Sequence, residues 1–146
     1  SAFVGDIVER MSISAREKKQ NITYKQMNPV PDFFANRDKL EQVIINIISN
    51  AIKYTPEGGK IDVYTGKIYS DVYIKVVDNG IGIPKENLPR IFERFYRVDK
   101  ARSRDTGGTG LGLAIAKQIM EEMGGGITLT SEANKGTEVT ITVPTA

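Results

Sequence analysis

Apolar residues recur along this chain with two periods, one helical and one of two residues. Val4, Ile7, Val8, Met11 and Ala15 stand at helical spacing with charges between them, which predicts an opening helix within residues 1–20. Residues 22–27 alternate and read as a strand. Asn28-Pro29-Val30-Pro31-Asp32 breaks the pattern, and Phe33-Phe34-Ala35 is a short strand candidate. A second helix is expected over residues 38–55, with Asp38 as its cap. Leu40, Val43, Ile44, Ile47, Ile48 and Ala51 form its apolar stripe, and Pro56-Glu57-Gly58-Gly59 ends it. Residues 60–67 and 72–77 follow as strands joined by a turn near Ser70-Asp71. Residues 78–109 are rich in Gly, Pro and charge, with one amphipathic turn over 88–95. The third helix, 111–123, gathers Ala116, Ile119, Met120 and Met123 on one face and stops at Gly124-Gly125-Gly126. Residues 127–131 and 137–143 are two final alternating strands. Because strands come in adjacent pairs, the pattern predicts an α+β fold, with helices layered on one face of a mostly antiparallel sheet.

Composition narrows the chemistry. The 146 residues suit a single domain with one core. A net charge of +2 argues for neither a nucleic-acid partner nor a membrane surface. With no cysteine there is no disulfide framework and no thiolate metal site. With no histidine the commonest general base and the usual zinc ligand are both missing. No apolar run approaches the ~18 residues that a membrane span needs, so no direct membrane insertion is expected of this segment. The chain opens without an initiator methionine, as expected of a segment taken from a longer protein.

Four constellations carry possible chemistry. Asn46, Asn50 and Lys53 fall on one face of the second helix. Buried amides in mid-helix need partners; they either bond neighbouring backbone or face a ligand. An asparagine oxygen suits Mg²⁺, and Lys53 offers a point charge to phosphate. Asp78-Asn79-Gly80-Ile81-Gly82-Ile83 follows a buried strand directly. It reads either as a turn or as a place where backbone comes close to a ligand. A carboxylate there accepts only, and so can recognise an amine such as adenine N6. Gly107-Gly108-Thr109-Gly110-Leu111-Gly112-Leu113 opens the third helix. It is a hinge or an anion site, since free N–H groups and the helix dipole both favour phosphate. It is neither a P-loop nor a dinucleotide fingerprint. Finally, Phe92, Phe95 and Tyr96 form an apolar anchor beside a basic stretch containing Arg94 and Arg97, which reads as a solvated loop or a lid over phosphates.

Taken in order, Asn-x-x-x-Asn-Ala-x-Lys-Tyr, Asp-x-Gly-x-Gly, Phe-Glu-Arg-Phe-Tyr-Arg and Gly-Thr-Gly-Leu-Gly-Leu closely resemble the four nucleotide-binding boxes of sensor histidine kinases. These belong to the superfamily that includes gyrase, Hsp90 and MutL. The resemblance covers essentially the whole chain, residues 1–146, as a single catalytic ATP-binding domain. It implies a Bergerat-type α/β sandwich of three main helices over a mixed sheet of about five strands. By resemblance, Asn50 is the Mg²⁺ ligand with Asn46 in support, Lys53 reaches the phosphates, and Tyr54 flanks the nucleotide. Asp78 reads adenine, with Gly80, Gly82 and Ile83 shaping the base pocket. Residues 95–109 form a mobile ATP lid in which Arg97, with Arg94 and Tyr96 beside it, approaches the γ-phosphate. Gly108, Thr109, Gly110, Leu111, Gly112 and Leu113 make the phosphate-side loop. The implied partners are ATP and ADP, a histidine-containing dimerisation domain of the same kinase, and a response regulator. The implied location is the cytoplasmic part of a membrane-anchored sensor, and the isolated domain is expected to be a monomer.

Two departures bear on function. Met123-Gly124-Gly125-Gly126 stands where many family members read His-Gly-Gly, which we read as local variation at a helix stop. The phosphoacceptor histidine is absent, so this chain is expected to donate phosphate and not to receive it. Gyrase, Hsp90 and MutL carry a water-activating glutamate four residues before the Mg²⁺ asparagine. Here that position is Asn46, which cannot act as a general base. The substitution favours phosphoryl transfer to an acceptor that brings its own nucleophile over an ATP-driven switch, and a degenerate nucleotide-binding scaffold is the third reading.

Overall fold

The computed structural model describes residues 2–29, 37–80, 112–132 and 135–144. In chain order the elements are α1 (Ala2–Glu17), β1 (Asn21–Gln26), α2 (Arg37–Tyr54), β2 (Lys60–Ile68), β3 (Asp71–Asp78), α3 (Gly112–Glu122), β4 (Gly126–Glu132) and β5 (Gly136–Pro144). The strands make one sheet in the order β1-β2-β3-β5-β4. β1 and β2, separated in sequence by α2, are parallel; every other pair is antiparallel. Among the described residues, three helices and a five-stranded mixed sheet make up the expected α+β architecture.

Alternation within the strands builds the core. In β3 every second residue is buried: Val72, Ile74, Val76 and then Asp78. Ile61 and Val63 of β2 and Val139, Ile141 and Val143 of β5 join them on the same face. Against that face lie Ile7 of α1, Ile44, Ile47 and Ile48 of α2, and Met120 of α3. α2 is central, packing on both α1 and α3. No helix among the described residues is long and apolar enough to cross a membrane.

Several element ends differ from expectation. α2 begins at Arg37, so Asp38 lies in its first turn, where its charge complements the positive end of the helix dipole. The β2–β3 hairpin pairs Ile68 with Asp71, which makes Tyr69 and Ser70 the turn residues, with Tyr69 at φ +57°. α3 ends at Glu122 and the chain turns at Gly124 (φ +76°), as the glycine run predicts, with Gly125 N–H donating back to the Met120 carbonyl at 2.9 Å. α1 ends with the same geometry on a residue the sequence did not flag: Lys19 holds φ +56°, and Gln20 N–H donates to the Ala15 carbonyl at 2.9 Å. The Phe33-Phe34-Ala35 strand candidate, the amphipathic turn at 88–95 and the lid at 95–109 lie outside the described residues.

Candidate functional site

The polar face of α2 runs toward the C-terminal end of β3. Asn46, Asn50, Lys53 and Tyr54 are each half-buried, while Ile47, Ile48 and Ala51 on the adjoining face are buried in the core. The Lys53 ammonium stands over the Tyr54 ring, 5.5 Å from its centroid. One pocket is lined by Ile47, Asn50, Ala51 and Tyr54 from α2, Val76 and Asp78 from β3, and Thr137 and Val139 from β5. It is a narrow cleft of about 10 Å³, in which apolar side chains alternate with Asn50, Tyr54, Asp78 and Thr137.

Asp78 is the focus of that pocket. It takes the last inward-facing position of β3, where the pattern Val72, Ile74, Val76 would continue with another apolar residue. It is 8% exposed. Burial pushes its carboxyl pKa up, and hydrogen bonds from the backbone N–H groups of Gly80 and Thr137 partly offset that rise. The Gly80 N–H donates to Oδ1 at 2.9 Å.

Glycines from three segments crowd this corner. A Cβ on Gly80 would lie 2.3 Å from the Tyr54 carbonyl oxygen, and one on Gly136 would lie 2.0 Å from that of Asp78. Gly136 also holds φ +121°, which L side chains rarely adopt. At Gly59 a Cβ would meet Thr55 Cγ2 at 2.2 Å. Asn79 turns away from the pocket: its Oδ1 accepts from Lys60 N–H at 2.8 Å, and its own N–H donates to the Lys60 carbonyl at 3.2 Å. These two bonds extend the β2–β3 ladder by one rung and hold Asp78 in register.

Of the residues singled out from the sequence, the structure brings together Asn50, Tyr54 and Asp78 around one pocket, with Asn46 and Lys53 on the same helix face and Gly80 against the helix end. Gly112 and Leu113 are the first residues of α3. Gly82, Ile83, Arg94, Tyr96, Arg97, Gly108, Thr109, Gly110 and Leu111 lie outside the described residues. Sequence reasoning missed Thr137, Gly136, Gly59 and the role of Asn79. A signal for Thr137 was present, since it precedes Val139, Ile141 and Val143 at a spacing of two and so faces the pocket side of β5. The glycine contacts depend on which segments meet and had no local signal.

Comparison with known proteins gives this corner a family. The family described as histidine kinase-, DNA gyrase B-, and HSP90-like ATPase matches residues 35–146. The chain belongs to that family. Within it, the likeness is to sensor kinases. The chain is 44% identical to sensor histidine kinase WalK of Bacillus subtilis (strain 168), over 97% of this chain and 23% of the relative. It is 41% identical to sensor protein kinase WalK of Staphylococcus saprophyticus, over the same shares. Among solved structures, the nucleotide-free catalytic domain of histidine kinase ThkA superposes with a TM-score of 0.84 at 28% identity, covering 99% of this chain and 91% of that one. Full-length ShkA in complex with AMPPNP superposes with a TM-score of 0.85 at 32% identity, covering 99% of this chain and 30% of that one. The chain thus spans about a quarter of the length of the curated relatives it matches.

Proposed function

We propose that this chain is the ATP-binding catalytic domain of a sensor histidine kinase and donates the ATP γ-phosphoryl group to a histidine on a separate helical dimerisation domain. The phosphoryl group leaves ADP, joins an imidazole nitrogen, and passes from there to a response-regulator aspartate. The observation that carries the reading is the buried Asp78 carboxylate, set in an apolar pocket between α2 and β5 and crowded by glycines. Adenine presents one amine edge and two apolar faces; a buried carboxylate acceptor beside the apolar side chains of Ile47, Val76 and Val139 complements it. Asn50 lines the same pocket and offers one neutral oxygen. Among the described residues no three His, Cys, Asp or Glu side chains cluster as a metal cage. That donor set fits Mg²⁺, which keeps most of its waters and is held largely by phosphates. Asn50 would hold it, with Asn46 in support, and the ion would neutralise phosphate charge. Lys53 and Tyr54 would contact the nucleotide beside it. Gly80, Gly82 and Ile83 would shape the base site; Arg94, Tyr96, Arg97 and the segment Gly108, Thr109, Gly110, Leu111, Gly112 and Leu113 would surround the phosphates. The full-length protein would be a membrane-anchored sensor with this domain in the cytoplasm.

Mixing the chain with radiolabelled ATP and its cognate histidine-bearing helical domain tests the reading. The chain alone should bind ATP, carry no label and hydrolyse ATP very slowly, because Asn46 supplies no general base. Label should appear on the added domain and be acid-labile and alkali-stable, as a phosphoramidate is. Brisk hydrolysis by the chain alone would favour an ATP-driven switch. ATP binding without any transfer would favour a nucleotide-binding scaffold.

A further inference from the structure

The last carbonyl groups of an α-helix have no intrahelical donors. At the end of α2 they are met from outside. Lys18, in the connection from α1 to β1, donates from Nζ to the carbonyls of Ile52 at 2.9 Å, Lys53 at 3.4 Å and Thr55 at 3.2 Å. Gln20 is buried and donates from Nε2 to the same Ile52 carbonyl at 2.9 Å and also to that of Thr55. Between them, Lys19 bends the chain out of α1 at φ +56°, a conformation that disfavours a side chain. The backbone continues the seam: Gly58 N–H donates to the Lys19 carbonyl at 3.1 Å, and Asn21 N–H to that of Gly59 at 3.0 Å. An ammonium here also meets the negative end of the helix dipole.

The turn held in this way carries Lys53 and Tyr54. Its Tyr54 carbonyl is the atom that a side chain at Gly80 would strike, and Gly80 in turn donates to Asp78. Two groups from the α1–β1 connection therefore fix the turn against which the site is assembled, although neither lines the pocket. We propose that Lys18 and Gln20 are positioning residues for the nucleotide site: by closing the carbonyl end of α2 they set where Lys53 and Tyr54 meet the nucleotide. The inference rests on the nucleotide-binding reading above.

Calorimetric ATP titration of the chain, run beside thermal unfolding, tests it. Lys18→Met keeps the aliphatic stem and removes the donor; it should weaken ATP binding about tenfold. Lys18→Arg restores a charged donor and should recover most of that loss. Amide resonances of Lys53 and Tyr54 should move in Lys18→Met. Val143→Ala, in the core at the opposite end of β5, should lower Tm without changing ATP affinity. If Lys18→Met does not fold, Lys18→Gln takes its place in the same comparison. A folded Lys18 variant that binds ATP like the parent, or loses no more affinity than Val143→Ala, overturns the proposal. Failure of the parental chain itself to bind ATP would instead overturn the nucleotide reading beneath it.

Discussion

The two ends of the sheet solve the same backbone problem differently. At one end β3 finishes in Asp78, beside Gly80, Gly59 and Gly136. At the other, β2 turns into β3 through Tyr69 and Ser70. Each end holds a residue in the positive-φ region, Gly136 at +121° and Tyr69 at +57°. A side chain at Gly136 would collide with the Asp78 carbonyl, so only glycine fits there. Tyr69 is 94% exposed, and the hairpin accepts a residue its dihedral disfavours because water offers no collision. Positive φ alone therefore marks nothing functional. Backbone crowding around a buried carboxylate distinguishes the end that carries the site.

The contrast breaks most sharply at Gly136. Gly136→Ala combines dihedral strain with a steric clash and should destabilise the chain by about 2–4 kcal/mol, read from urea denaturation. A loss below about 1 kcal/mol would mean that the corner relaxes easily, removing the distinction between the ends.

Next is Asp78. If its carboxylate accepts from adenine N6, Asp78→Asn should weaken ATP binding by about 1–3 kcal/mol through loss of a charged hydrogen bond. Calorimetry with ATP against GTP reads the effect, and parental ATP affinity in the variant would sink the assignment.

The same group sets a pH dependence. Burial raises its folded-state pKa above the ordinary value of 3.8, so the folded chain keeps this proton to higher pH than the unfolded chain. Below that ordinary value both states are protonated and the group contributes no difference. As pH rises from there through the raised pKa, ionisation in the buried corner costs stability. Parental stability relative to Asp78→Asn should therefore fall across that window. Denaturation midpoints at stepped pH check this, and a difference of opposite sign would place the amide hydrogen bonds above burial.

The smallest effect belongs to the hairpin. Tyr69→Asn places a residue that tolerates positive φ in the turn, and should stabilise the chain by about 0.5–1 kcal/mol without touching ATP affinity. A change in nucleotide binding there would join two ends that the contrast keeps apart.

Much of this is written locally. The apolar stripe of α2 and the alternation of β2, β3 and β5 state which faces are buried, because helix and strand periods project side chains in fixed directions. For that reason the three described helices, the five described strands and the polar series Asn46, Asn50, Lys53 could be read along the chain. Asp78 was legible too, as a carboxylate directly after a buried strand; that it closes the strand's inward face was not. Partnership across the sheet was not legible. That β5 lies beside β3, pairing Thr137 with Asp78, depends on contacts between residues far apart in sequence, which no local period encodes. The same holds for Lys18 and Gln20 at the end of α2, and for the three glycines, whose need to be glycine arises only where separate backbones meet. Sequence determined which side chains face inward and which chemistry they bring. Tertiary structure alone decided which of them share a wall, because close packing is set by the whole fold and not by neighbours in the chain.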